Sequence, residues 1–281
     1  MLNTANGHIL QKRAFQIEQA CMPSAAGIWY EDKPLSTQLL NSYTLLIPNG
    51  ESFIIRTCSR YLKAVKPELA DELKVLFFQE GSHSREHGHL LKSMQAEGLG
   101  LDIYRTLCDV VFYKILEPLT PLKLRLATAA AIEHHNAIIA TYFLSQTLLD
   151  GVHVKELRKL FLWHFIEEIE HKETVYKLLQ SVSSSKILRA LGLLTSFSTF
   201  LLSLMLGAIL FGAKNGFMMS GGYWSELFTE SFGRNSFLAA LVKGSYKYLD
   251  PGFYPSREES VMLLNAAIEE LNKLEGKLTG V

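Results

Sequence analysis

Four glutamates sit inside apolar stretches of this chain. Glu51 opens Glu-Ser-Phe-Ile-Ile, Glu80 follows Val75-Leu76-Phe77-Phe78-Gln79, Glu133 follows Ala129-Ala130-Ala131-Ile132, and Glu168 ends a run that begins at Leu162-Trp163-His164. Removing an ionised carboxylate from water is costly unless it is paired, so four such positions require compensation. Two of them are followed by histidine three residues later, Glu80-x-x-His83 and Glu168-x-x-His171. That spacing puts both side chains on one helix face, close enough to share a metal ion.

In chain order the pattern is Glu51, Glu80-x-x-His83, Glu133, Glu168-x-x-His171. One glutamate from each of two helices and Glu-x-x-His from each of two others is the dinuclear ligand set of ferritin-like four-helix bundles. Four carboxylates would balance two divalent ions, leaving a neutral site in a low-dielectric interior. Mixed oxygen and imidazole ligands suit iron first, with manganese or zinc as alternatives. His164, four residues before Glu168, falls on the same helix face. It is a third nitrogen ligand or a donor behind the ligands, and as a ligand it gives a set resembling that of the dinuclear arylamine N-oxygenases. The expected division puts Glu51, Glu80 and His83 on one ion and Glu133, His164, Glu168 and His171 on the other, bridged by Glu80 and Glu168. Glu167 competes with Glu168 but lacks the three-residue spacing to His171. His87, one turn beyond His83, could orient a ligand or shuttle protons. The alanines around Glu133 (Ala129, Ala130, Ala137, Ala140) either leave room for a substrate or pack helices closely.

The elements that would position these residues are helical. Apolar periodicity predicts helices at about 36–64, 67–95, 100–116, 121–149, 153–182, 186–213, 225–248 and 257–276, with no alternating strand pattern. Pro48-Asn49-Gly50 should kink or restart the first helix just before Glu51. Gly98 and Gly100 punctuate one connection, and Asp250-Pro251-Gly252 opens a late loop. The separations of 29 residues from Glu51 to Glu80 and 35 from Glu133 to Glu168 suit antiparallel pairs, with 100–116 filling a crossover. The expected architecture is a single all-α domain over 1–281. Its metal-binding bundle spans about 36–182, and a C-terminal helical extension covers about 186–276.

Composition narrows the function. The chain has 281 residues, 48% of them hydrophobic, and its 28 basic and 28 acidic residues cancel. No basic excess is present to neutralise phosphates, which argues against a nucleic-acid partner. Three scattered cysteines, Cys21, Cys58 and Cys108, exclude a disulfide framework. The first fifteen residues hold no apolar stretch of signal-peptide length, so the expected location is cytoplasmic. Residues 190–213 are uncharged and exceed the roughly 18 apolar residues of a membrane-span candidate, yet they carry Thr195, Ser196, Ser198, Thr199 and Ser203. A buried bundle helix and a membrane-associated segment both fit. A homodimer is also compatible.

Several motifs together resemble the family labelled predicted metal-dependent hydrolase. They are Pro48-Asn49-Gly50-Glu51, Gln79-Glu80-Gly81-Ser82-His83 continuing to Glu86-His87, Ala131-Ile132-Glu133-His134, and Trp163-His164 through Glu170-His171-Lys172. The likeness spans about residues 28–275. In Pro251-Gly252-Phe253-Tyr254-Pro255 the family turn usually reads Phe-His-Pro, so Tyr254 replaces a histidine. The resemblance implies a ferritin-like helical fold holding a metal pair. The Glu-x-x-His pairs themselves favour a di-iron oxidase or oxygenase that uses dioxygen and an electron donor on a small, largely apolar substrate. Metal-dependent hydrolysis with zinc or manganese is the alternative, and non-enzymatic iron handling a third reading. No Gly-x-Ser-x-Gly elbow, phosphate loop or dinucleotide fingerprint occurs.

Overall fold

The computed structural model describes residues 10, 12–18, 27–96, 101–233 and 235–277. The described residues are all-α: no strand forms among them, and one isolated antiparallel bridge joins Tyr30 to Val152. Cys21 and the expected breaks at Gly98 and Gly100 lie outside the described residues.

Helix α1 (Pro34–Ser59) begins with proline at its first turn, where the missing N–H costs nothing. Its next two free amides, those of Leu35 and Ser36, donate to the Glu226 carboxylate at 3.0 and 2.8 Å. A negative group at this end also suits the helix dipole. Of the two expected outcomes, a kink or a restart, the restart does not occur: α1 is helical through Pro48. Proline removes one intrahelical hydrogen bond, and burial of α1 residues on both sides of that gap holds the helix together. Glu51 therefore stands one turn beyond Pro48 on a continuous rod.

Helix α2 (Pro67–Ala96) carries Glu80, His83 and His87. The expected 100–116 helix divides in two. A short α3 (Leu101–Cys108) leads into a π-helical segment (Asp109–Leu116), and α4 (Glu117–Leu119) is a single further turn. A π-segment of this length is rare and widens the helix locally. Helix α5 (Leu122–Ser145) presents Glu133, and α6 (Lys155–His171) presents His164, Glu168 and His171. The expected 153–182 helix breaks immediately after His171. A turn at Lys172-Glu173 separates α6 from α7 (Thr174–Val182), and Glu173 spends its carboxylate accepting from the Arg257 amide at 2.6 Å.

Helix α1 packs on α2, α2 on α6, α6 on α5 and α5 back on α1. These four close a ring, and the predicted site residues face its interior. Helix α8 (Lys186–Lys214) lies across α1 and α5, capped by Ser185, whose hydroxyl accepts from the Leu188 amide. Gly192 permits that approach: a Cβ there would stand 2.4 Å from the Ala127 carbonyl carbon. The expected 225–248 helix is two, α9 (Gly221–Phe232) and α10 (Phe237–Tyr248), and α11 (Val261–Leu274) packs against α6. By length and composition α8 could cross a bilayer, though a third of its apolar window is buried within the protein.

Candidate metal centre

Glu51, Glu80, His83, Glu133, His164, Glu168 and His171 converge between α1, α2, α5 and α6, each no more than 2% exposed. Two constellations have ligand atoms that all lie within 4.8 Å of one another: Glu51, His83, His164 and Glu168, and Glu80, His83, Glu168 and His171. His83 and Glu168 belong to both. The division differs from the expected one, because His164 falls with Glu51 and His83. Its Nε2 is 3.1 Å from Glu168 and its Nδ1 3.8 Å from Glu51. Glu133 belongs to neither constellation; its Oε2 pairs with His171 Nδ1 at 2.7 Å.

Each outer imidazole is held from behind. His83 Nε2 pairs with Glu167 Oε2 at 2.9 Å, which aims Nδ1 at Glu51, Glu80 and Glu168, 3.2, 3.9 and 3.8 Å away. His171, held by Glu133, aims Nε2 at Glu80 (3.3 Å) and Glu168 (4.0 Å). Carboxylate–histidine pairs of this kind fix ring orientation behind metal sites. Ser84 donates to the outer oxygen of Glu51 at 2.9 Å. Trp163 packs edge-on against His83 with ring centroids 4.6 Å apart, and Phe15 stacks on Trp163.

The inward atoms lack aligned hydrogen bonds. Glu51 Oε1, both oxygens of Glu80 and of Glu168, His83 Nδ1, His164 Nδ1 and His171 Nε2 are buried without a partner. Orphaned buried polar atoms are uncommon, and eight converging on one point are a donor set fitted to cations. Electrostatics agree. Burial pushes Glu51 up to about 8, against a partial offset from His83. Burial, then the neighbouring carboxylates, pushes Glu80 and Glu133 well above the usual range. Burial lowers His171 to about 4 and takes His164 far below its ordinary value. Burial opposes charge on His83 too, but Glu167 and Glu51 outweigh it and raise the ring to about 10. Without cations these carboxylates are neutralised by protons they hold unusually tightly, and divalent cations would take the place of those protons.

Sequence reasoning missed Glu167 and Arg13. Glu167 was set aside for its spacing, although His83 needed a partner for its second nitrogen. Arg13 pairs with Glu170 through two contacts of 2.6 Å and reaches Glu167 at 3.6 Å, from 157 residues before Glu170; no sequence signal links them. His87 is buried beside His164, ring centroids 5.0 Å apart, with neither nitrogen partnered. His134 and His135 pack elsewhere: His134 stacks on Tyr248, and His135 pairs with Ser196 and Ser245. Ala129, Ala130, Ala137 and Ala140 of α5 are buried, and none of them lines the cavity at Glu51.

A small cavity of about 140 Å³ reaches the centre at Glu51. Its walls include Phe112 and Tyr113 of the π-helical segment, Ile132 and His135 of α5, and Thr199 and Phe200 of α8. No curated protein matches the chain, and no solved structure does. The motifs around Glu51, Glu80, Glu133 and Glu168 have the counterpart the resemblance implied: the family described as predicted metal-dependent hydrolase matches residues 11–259, and the chain belongs to that family.

Proposed function

We propose that the protein is a hydrolase with a dinuclear metal centre, acting on a small, largely apolar ester or amide. The observation that carries this reading is the set of unpartnered, inward-facing ligand atoms next to an apolar cavity that meets Glu51. The dioxygen chemistry expected from the Glu-x-x-His pairs has no support from the family's description, which names hydrolysis. Bound divalent ions, zinc or manganese in this reading, would supply Lewis acidity and an activated water at neutral pH.

The chain's own groups have distinct tasks. Glu51, His164 and Glu168 would hold one ion and Glu80, Glu168 and His171 the other, with His83, whose one free nitrogen belongs to both constellations, ligating a single ion. Glu133 and Glu167 orient His171 and His83. Glu51 is the carboxylate at the cavity wall, so the ion it would hold is the one nearest the substrate. His87, kept neutral by burial, packs behind His164 and fixes that ring's place. Phe112, Tyr113 and Phe200 exclude water from the cavity and bind the apolar part of the substrate. The outward apolar side chains of α8, Leu194, Leu202 and Met205 among them, fit association with a membrane surface that holds such a substrate.

The test is cleavage of a short aliphatic p-nitrophenyl ester under argon. Chelated protein should be inactive, and zinc or manganese should restore turnover without oxygen. Glu51→Ala should lower kcat/KM by more than about 100-fold, a larger cost than losing an orienting partner, because it removes a ligand of the ion nearest the substrate. Turnover that requires both oxygen and iron would overturn the hydrolytic reading and favour the dioxygen one.

A further inference from the structure

A second cavity, about 510 Å³, lies beyond Tyr43 and is far larger than the one at Glu51. Its volume falls in the range of roughly 300–1,000 Å³ typical of small-molecule sites. Its shape follows from the elements that line it. Lys33, Ser36, Leu40 and Tyr43 form a stripe along one face of α1, and at 1.5 Å per residue that stripe is about 15 Å long. Trp224, Leu227, Phe228 and Ser231 form the facing stripe on α9, and Leu201 and Leu204 of α8 close one side.

The two ends differ. At the outer end the rim is apolar and exposed, with Met205 60%, Phe228 66% and Phe232 75% accessible. At the inner end stand Tyr43 and Phe200, which line both cavities and meet edge-to-face. The Tyr43 hydroxyl is 3.4 Å from His164 Nε2. One pair of rings thus separates the long channel, the small cavity and the metal centre.

We propose that this channel holds the aliphatic chain of a single-chain ester or amide, entering reactive end first, with the carbonyl at the Tyr43–Phe200 partition and the tail toward the exposed rim. A methylene chain advances about 1.3 Å per carbon at C–C bonds of ~1.5 Å, so a 15 Å channel takes a chain of about twelve carbons. The inference rests on the hydrolytic reading and names its substrate class. Water adds to the acyl carbon, the bond to the leaving oxygen or nitrogen breaks, that atom takes a proton from the same water, and the products are the long-chain acid and the alcohol or amine. Most of the channel wall is apolar, with Leu39, Leu40, Ile139, Leu201, Leu204 and Leu227 along it, which matches a saturated tail; its polar groups are few, Lys33 and Glu230 being the charged ones. Water in such a channel is readily displaced by hydrocarbon.

Binding can be read on metal-free protein with N-phenyl-1-naphthylamine, an uncharged fluorophore, displaced by methyl esters of six, eight and twelve carbons. Methyl dodecanoate should displace it at least about tenfold more tightly than methyl hexanoate, since each buried methylene adds affinity. Leu201→Trp, which fills the channel, should weaken methyl dodecanoate at least about tenfold while metal uptake stays unchanged. Ser231→Trp blocks the channel from the opposite wall and serves if the first variant misfolds. Equal displacement by all three esters, or unaltered affinity in a folded channel variant, would overturn the inference. Tight binding of methyl dodecanoate without its cleavage by metal-loaded protein would sink hydrolysis and leave the channel assignment standing. Ester cleavage that ignores chain length would do the reverse.

Discussion

His83 shows how much a single side chain's surroundings decide. Its Nε2 is committed to Glu167, so Nδ1 is the atom available between the two constellations. The spacing rule that selected Glu168 for the centre also hid Glu167, because a partner behind a ring has no fixed spacing to it. Glu80, His83, Glu168 and His171 were legible because local helix geometry places i and i+3 together, and Glu51 and Glu133 because a glutamate in an apolar run needs compensation; the placing of His164 beside Glu51 depends on how α1 meets α6 and was not. Loss of the supporting carboxylate should therefore weaken metal binding without abolishing it. Glu167→Ala is expected to lower metal affinity 10–100-fold, the usual cost of removing an orienting partner, as read by chelator competition. An affinity equal to the parent's would show that the His83–Glu167 pair has no bearing on the centre.

At the scale of elements, helix existence was readable from apolar period and helix continuity was not. Pro48 signals a break, yet packing of α1 against α2, α5 and α8, among others, keeps it whole. Conversely, nothing in the run Asp109–Leu116 announces a π-helix, and the division after His171 depends on Arg257, far along the chain. The uncharged stretch reads equally as core or membrane segment because its inner face packs on α1 and α5 while its outer face stays apolar. The tightest point of that packing is Gly192 against Ala127. Gly192→Ala should cost about 1–3 kcal/mol through overpacking and lower Tm by roughly 2–8 °C, measured by thermal unfolding. No change in Tm would mean that α8 can move away from α5 freely.

The molecule as a whole has no net charge, and that balance conceals a local excess of buried acid. Linkage gives the excess a measurable sign in metal-free protein. Glu51, raised to about 8, and His83, raised to about 10, bind more protons folded than unfolded, as do Glu80 and Glu133, pushed well above the usual range. His171, lowered to about 4, acts oppositely, as do the buried His87, His134, His135 and His164, but their unfolded rings are only half protonated at their ordinary value near 6.5 and lose that proton as pH rises. From pH 6.5 to 8 the folded chain holds the larger number of protons, so metal-free stability should fall as pH rises. Divalent cations replace those protons, and the rise in Tm on metal loading should be larger at pH 8 than at pH 6.5. Equal increments at both pH values would mean that metal binding displaces no protons from this cluster.

The most direct measurement is titration of chelated protein with zinc or manganese, with bound metal counted by elemental analysis. The account predicts saturation at two ions per chain, and loss of both sites in Glu168→Ala, since Glu168 belongs to both constellations. Absence of saturable binding, or a Glu168→Ala variant that still holds two ions, would contradict it.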